Sequence, residues 1–226
     1  MNKNPFNICS LDQKSNCKSC INNYRLHCKK DKNKLILSLL VVFSTIIISF
    51  FGITLTTIIT GIWWFPVVYS IFVILFFMVI EIRLTCSHCP FYAEKTLRLH
   101  CLSNILSPKI WKFHPEPMNI YEKIGSISGF TFLGLYPLLT EIYGILYMMS
   151  NYYEMIMLFL FVGIIIATII SILIFFLLFL LLYCPYCLNF SCPFNNVSKK
   201  LVDEYLKINP VLREAWEKSG YKIGED

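Results

Sequence analysis

Charged residues are scarce in this chain: they make up 15% of its 226 residues, while hydrophobic residues make up 56%. A soluble domain of this length could not bury so much apolar surface, so the composition argues against a water-soluble fold. The N-terminus also lacks the pattern of a cleavable signal peptide, because residues 1–34 are polar and contain four cysteines. The first apolar helix is therefore expected to direct insertion into a membrane.

Long apolar runs dominate the rest of the chain. Residues 35–84 are too many for one helix, since about 20 residues cross the hydrocarbon, and Gly and Pro predict a turn at 61–66. A second hairpin is predicted over 124–183, with its turn at 150–154. We therefore predict an all-α integral membrane protein: four transmembrane helices as two repeated hairpins, cysteine-rich cytoplasmic segments and a short helical C-terminal tail.

The predicted spans divide the chain into five parts: a cytoplasmic four-cysteine segment (1–34), transmembrane hairpin 1 (35–84), a cytoplasmic Cys/His loop (85–123), transmembrane hairpin 2 (124–183), and a cytoplasmic cysteine-rich segment with the helical tail (184–226). All 20 Lys and Arg residues lie in the three polar segments or their flanks. The positive-inside rule then predicts a multi-pass protein of the cell (plasma) membrane with both termini cytoplasmic. The net charge of +6 favours anionic lipid over nucleic acid as partner, because the basic residues flank the apolar runs.

A few polar residues mark particular positions along the predicted helices. Asn119 and Glu122 have the spacing of a capping box at the start of the third helix. Glu81 and Arg83 are expected to pair with each other or to extend towards the membrane surface. Glu141 falls near the outer end of the third span, where an interfacial position is favoured over a functional intramembrane carboxylate.

The tail has apolar residues at helical spacing, at Val197, Leu201, Tyr205 and Ile208. Asn209-Pro210 predicts the start of a second helix, whose apolar face would consist of Leu212, Ala215 and Trp216. Two arrangements fit this pattern: the helical pair packs on the protein's own loop, or it lies on the membrane surface.

The ten cysteines are the main chemical feature, and they fall into three groups: Cys9, Cys17, Cys20 and Cys28; Cys86, Cys89 and Cys101; Cys184, Cys187 and Cys192. Each group contains one C-x2-C pair, a spacing that lets two thiolates face a single metal ion. Disulfides do not persist in the cytosol, so metal or redox chemistry is the favoured interpretation. All ten are predicted metal ligands, and free thiols are the alternative, above all for Cys101 and Cys192.

The second and third groups look like a repeat, because each C-x2-C pair directly follows a predicted return helix. Two hairpins packed side by side would bring four thiolates together in a closed tetrahedral site, at Cys86, Cys89, Cys184 and Cys187. Cys101 and Cys192 then remain for a second site, with three possible companions, His88, His100 and His114. The N-terminal group is expected to form a self-contained site, ordered by its metal.

Two known families resemble parts of this pattern. Cys184-Pro-Tyr-Cys187 is similar to the glutaredoxin active-site tetrapeptide, although here it ends a membrane helix. The Cys-Pro motifs after the return helices resemble those of the membrane ferredoxin-type proteins of nitrate and nitrous-oxide respiration, whose spacing is C-x3-C-P. This chain instead has Cys86-x2-Cys89-Pro90 and Cys187-x4-Cys192-Pro193, and its tail lacks their ferredoxin repeats.

The predicted function is a scaffold or subunit of a membrane assembly, stabilised by structural zinc, whose partners are the lipid bilayer and other membrane subunits. The polar segments contain no recognisable nucleophile–base or carboxylate constellation, which leaves enzyme activity open. The alternative is a redox protein that carries an iron–sulfur or rubredoxin-like iron centre and exchanges electrons with quinone, since zinc and iron share tetrathiolate geometry. A transporter of soft metal ions is disfavoured, because no Cys, His or Asp falls inside a predicted span.

Overall fold

The computed structural model describes residues 6, 8, 9, 25–28, 31–99, 101 and 107–224. This part of the chain is helical and contains no β-strand. Four of its helices are long and apolar enough to cross a membrane, over Lys32–Thr60, Trp64–His88, Ile120–Ser150 and Met155–Tyr186. The all-helical architecture with four candidate membrane spans is thus confirmed, and many apolar side chains on these helices are exposed, as a lipid environment requires.

The first two long helices join through a tight turn at the predicted position. Helix α1 (Lys32–Thr60) starts at Asp31, whose carboxylate accepts hydrogen bonds from two backbone N–H groups of the first turn. It ends at Gly61, which adopts the left-handed conformation (φ 74°, ψ 6°) that favours glycine. Helix α2 (Trp64–Leu75) follows at once and continues as a wider π-helix over Phe76–Thr85.

The second pair of long helices has the same order of elements. Helix α3 (Ile120–Ser150) begins at the predicted capping box: the Asn119 side chain accepts from the Glu122 backbone N–H, and the Glu122 side chain accepts from the Asn119 backbone N–H. Helix α4 (Met155–Leu178) continues as a π-helix over Phe179–Tyr183. We call the end of the bundle where α1 and α3 begin, and where α2 and α4 finish, the cysteine end.

Helices α1 and α3 approach each other closely because small residues lie between them. A Cβ atom at Gly144 of α3 would lie 3.0 Å from the Thr56 side chain of α1. Hydroxyl groups add bonds between helices: Thr45 donates to the Ser171 carbonyl (3.3 Å), and Tyr136 donates to the Phe65 carbonyl (3.0 Å). Small residues and hydroxyls are the contacts that associate helices in lipid, where no hydrophobic force acts between them.

The tail forms helices α5 (Lys199–Lys207) and α6 (Pro210–Lys218), which pack on the protein itself. Their buried residues share one apolar core with the N-terminal segment and the loop after α2, comprising among others Ile8, Leu26, Phe91, Tyr92, Leu99, Val202, Tyr205, Leu206 and Leu212. Ile208, the last residue of the predicted helical spacing, is 52% exposed. Val202 and Leu206 supply the buried face of α5 instead.

Two expectations about charged residues near the helix ends need revision. Arg83 pairs with Glu122 of α3 at 3.3 Å, which ties the end of α2 to the start of α3. The Glu141 side chain does not point to the surface of the bundle as an interfacial residue would, because it is fully buried and contacts Thr168 of α4. Hydropathy locates a residue along a helix but does not show which neighbour it faces.

Asn209 joins the N-terminal segment to the tail. Its fully buried side chain accepts from the backbone N–H of Cys9 (2.6 Å) and donates to the carbonyl of Tyr205 (2.7 Å). We expect Asn209→Ala to destabilise this layer by about 1–3 kcal/mol, since a buried N–H and a buried C=O lose their partners. Limited proteolysis and thermal unfolding of the detergent-solubilised chain measure the change. Asn33→Ala, on the exposed first turn of α1, is the matched control and should have little effect.

Candidate thiol site at the cysteine end

The two C-x2-C motifs adopt the same backbone conformation. Each follows a π-helix, forms one 3-10 turn, and ends in an extended cysteine: φ −82°, ψ 138° at Cys89 and φ −75°, ψ 135° at Cys187. The Cys89 N–H donates to the Cys86 carbonyl (2.9 Å), and the Cys187 N–H donates to the Cys184 carbonyl (3.4 Å). Cys86 therefore corresponds to Cys184, and Cys89 to Cys187. π-Helical segments inside α-helices are frequent at functional sites.

The amide of Asn189 connects the two motifs. Its Nδ2 atom donates to the carbonyl of Thr85, the residue before the first motif, at 2.7 Å. Its backbone N–H lies 3.5 Å from the sulfur of Cys187 in the second motif. The last turns of α2 and α4 therefore meet at the same level of the bundle. A polar residue two positions after a cysteine was the signal in the sequence that could have indicated this role.

The thiols of the second and third groups lie near one another at the cysteine end. Cys86 lies within electrostatic range of Cys89, Cys101 and Cys187. Cys89 is likewise within range of Cys101, and Cys187 is within range of both Cys89 and Cys101. These four thiols are therefore mutual neighbours. Cys192 is within range of Cys89 and Cys187 and also of Cys184. Cys101 therefore lies among the thiols of both C-x2-C motifs, while the predicted ligand set that includes Cys184 stays a prediction.

A short antiparallel contact in the loop brings Cys101 to the cluster. Arg98 pairs with Pro108, the Leu99 N–H donates to the Ser107 carbonyl (3.0 Å), and the Lys109 N–H donates to the Leu97 carbonyl (3.0 Å). Leu99 is buried in the apolar core, which holds the strand-like segment against the C-x2-C motif.

Backbone N–H groups point at three of the sulfur atoms. Cys89 accepts from Phe91, Cys187 accepts from Asn189, and Cys192 accepts from both Phe194 and Asn195. Hydrogen bonds to sulfur stabilise the thiolate relative to the thiol, and thiolate is the form that binds metal. The donors are backbone N–H groups of residues two or three positions after each cysteine. Short loops that wrap around a metal ion place their N–H groups in the same way.

Burial nevertheless keeps these groups protonated. Desolvation, followed by repulsion from neighbouring thiolates, raises the pKa of Cys187 well above its ordinary value of 9.0. Desolvation is also the largest cause that raises the pKa of Cys89 and of Cys192. Among the described residues, no three Cys, His, Asp or Glu side chains are close enough together to hold one metal ion. A shared ion therefore requires the thiols to move inwards and to lose their protons.

Lys109, which the sequence did not single out, fixes the loop after Cys89. Its ammonium group donates to the carbonyls of Phe91 (2.9 Å), Tyr92 (3.3 Å) and Glu94 (2.8 Å). Burial lowers the pKa of Lys109, and its positive charge opposes the upward shift at Cys89. A single lysine thus shapes the loop and places a cation beside the cluster.

The histidines proposed as companions have oxygen partners. His88 Nδ1 donates to the carbonyl of Glu116 (2.7 Å), and its Nε2 faces the Glu122 carboxylate (3.3 Å). His114 Nδ1 bonds the Glu116 carboxylate at 2.8 Å, and this contact contributes to the lowered pKa of Glu116. These side chains tie the loop to the start of α3. His100 lies outside the described residues.

The N-terminal cysteines are only partly within the described residues, which include Cys9 and Cys28 but not Cys17 or Cys20. Cys9 and Cys28 both pack against the shared apolar core. The Cys9 carbonyl accepts from the Tyr205 hydroxyl of α5. The described residues of this segment are therefore held by the rest of the protein, and the self-contained metal site stays a prediction.

An apolar cavity of about 360 Å³ leads from the cysteines into the bundle. All the cysteines of the second and third groups line one end: Cys86, Cys89, Cys101, Cys184, Cys187 and Cys192. Aromatic residues from α2, α3 and α4 line the remainder, including Tyr69, Phe76, Phe130 and Phe175. Its volume and apolar walls are typical of small-molecule sites.

Comparison with known proteins finds no protein-family model, no curated protein and no solved structure that matches this chain. The functional argument therefore comes from the geometry of the cysteine end.

The raised thiol pKa values predict a loss of stability at alkaline pH for the reduced, metal-free protein. The unfolded chain releases thiol protons near 9.0 whereas the folded chain retains them, so stability is full below that pH and falls as the pH rises above it. The slope is at most about 1.4 kcal/mol per pH unit for each buried thiol. Thermal unfolding across this range measures it. Cys187→Ser should flatten the curve, and an unchanged slope in that variant would contradict the assignment.

Proposed function

We propose that this chain is a membrane scaffold or subunit whose cysteine end is fastened by a structural zinc ion. The observation that carries the proposal is the cluster of four mutually neighbouring thiols, with N–H donors directed at Cys89 and Cys187. Tetrathiolate zinc sites are closed, since four sulfur ligands leave no position for substrate, and such sites stabilise a fold. The zinc ion would thus join the end of α2, the loop after it and the end of α4, which are distant from one another in sequence.

The proposed ligands are Cys86, Cys89, Cys101 and Cys187. Zinc binding would draw the sulfurs to about 2.3 Å from a common centre and displace their protons. Cys184 is not a proposed ligand; it lies near Cys192, which in turn is within range of Cys89 and Cys187. The two C-x2-C motifs have similar backbone conformations, which supports the further proposal that the chain consists of two repeated hairpins.

A ligand-by-ligand test uses full-length protein purified without oxygen, in a background where Cys17 and Cys20 are serine. Elemental analysis should find zinc, and Cys101→Ser should lose it. Cys184→Ser is the matched control, because Cys184 holds the same position in the second motif as Cys86 does in the first, and it should keep its zinc. Zinc lost from Cys184→Ser but kept in Cys101→Ser would contradict the proposed set.

Ligands of one site act as a unit, which provides a second criterion. The double variant Cys86→Ser, Cys187→Ser should lose no more zinc than either single variant. Losses that add would place the two residues in separate sites.

We further propose that the cysteine end faces the cytoplasm and that both termini lie there, in the cell membrane. The distribution of Lys and Arg supports this orientation. A reporter that is active only outside the cytoplasm should stay silent when fused after Asp226 and become active when inserted at Asn151, in the turn between α3 and α4. The reverse pattern would contradict the orientation and would restore disulfides as an interpretation of the thiols.

A redox function is the second candidate, and the cavity is the observation that favours it. In this alternative the thiolates hold iron or an iron–sulfur cluster, and a quinone ring enters the apolar cavity to exchange electrons with it. Iron in place of zinc, with visible absorption that changes on adding a quinol, would favour this function. A colourless zinc protein would exclude it.

A further inference from the structure

Glu141 is a carboxyl group enclosed by three helices, well inside α3 and apart from the cysteine end. Its side chain has no solvent exposure. One oxygen, Oε1, accepts a hydrogen bond from the Thr168 hydroxyl of α4 at 2.8 Å. On the other side it rests on the backbone of α1, since a Cβ atom at Gly52 would lie 1.8 Å from Oε1. Glycine at position 52 therefore makes room for this carboxyl.

The second oxygen, Oε2, is buried and has no hydrogen-bond partner among the described residues. Ser49 Oγ of α1 is also buried, and it interacts with the Tyr69 hydroxyl of α2. The Tyr69 hydroxyl of α2 lies near both groups. One buried carboxyl oxygen that lacks a partner among the described residues thus lies near a tyrosine inside the candidate membrane spans, where unsatisfied polar groups are costly.

No cation neutralises this carboxyl, because none of the ion pairs formed by the described residues includes Glu141. The groups that face it are Thr168 from α4, Gly52 and Ser49 from α1, and Tyr69 from α2, and only Tyr69 among them can titrate. An isolated carboxylate in this environment would be strongly disfavoured, so the group takes its neutral form. Ionisable residues inside membrane spans generally mark sites of function, because an apolar side chain would be less costly.

We infer that Glu141 is an intramembrane proton-binding site, which releases and regains a proton through its free Oε2 atom. Tyr69 lines the cavity that reaches the thiols, and this gives the proton a route to the cysteine end. The exchange is R–COOH to R–COO⁻ plus H⁺, with the proton passing to water that enters the cavity. Thr168 stabilises the anion through its hydrogen bond to Oε1.

Dicyclohexylcarbodiimide tests this inference in full-length protein held in lipid nanodiscs. The reagent enters membranes and reacts with protonated carboxyl groups, and the whole molecule remains attached as an N-acylurea. Mass spectrometry should find the adduct on the peptide that contains Glu141, with labelling that declines as the pH is raised. Glu141→Gln, which keeps the shape and a partner for Thr168, should abolish it.

Two threonine variants separate the site from general effects on the bundle. Thr168→Val removes the bond that stabilises the anion, so labelling should persist to higher pH and increase several-fold at alkaline pH. Thr131→Val is the matched control, since Thr131 is an exposed residue of α3 whose hydroxyl bonds only its own helix, and it should label like the unmodified chain. No adduct at any pH in folded protein would overturn the inference, as would equal behaviour of the two variants. Suppression by sodium at constant pH would also overturn it, because a metal cation would then be the occupant.

Discussion

The close contact between α1 and α3 is the constraint on which the arrangement of this bundle depends. At Gly52 and Gly144 the two helices leave no room for a larger residue: a Cβ at the first would collide with Glu141, and one at the second would crowd Phe161 and Thr56. This contact puts the carboxyl of Glu141 against α1, and α4 closes the third side through Thr168. In lipid, where apolar side chains gain nothing by leaving the solvent, such packing fixes one helix arrangement among many.

Local signals in the sequence predicted the elements well. Hydropathy gave the four candidate spans, Gly61 marked the end of α1, and Asn119 with Glu122 marked the start of α3. Each of these features depends on residues a few positions apart, so it can be read directly from the sequence. The contacts that brought Cys101 to the thiol cluster were not predictable in this way. They depend on the pairing of Arg98 with Pro108 and on the burial of Leu99, which only the folded loop reveals.

The position of Glu141 illustrates the same limit inside the membrane. Counting residues from the end of the predicted span suggested an interfacial side chain, because α3 is longer than a bilayer requires and its ends are indistinct in hydropathy. The rotation of α3 about its own axis instead determines which way the Glu141 side chain faces. That rotation follows from the packing at Gly144 and Gly52. Hydroxyl residues of the neighbouring helices, such as Ser49 and Thr168, offered a hint, since polar residues in spans tend to face one another.

Charge balance connects the proposed zinc site to the residues around it. Four thiolates and one Zn²⁺ carry a net charge of about −2, which is costly in an apolar setting unless cations and N–H dipoles offset it. Lys109 supplies one positive charge beside Cys89, and Lys123 supplies another near Cys192. The N–H groups directed at Cys89 and Cys187 reduce the remaining charge on sulfur. The loop would thus contribute Lys109 as well as Cys101 to the proposed site, and α3 would contribute Lys123.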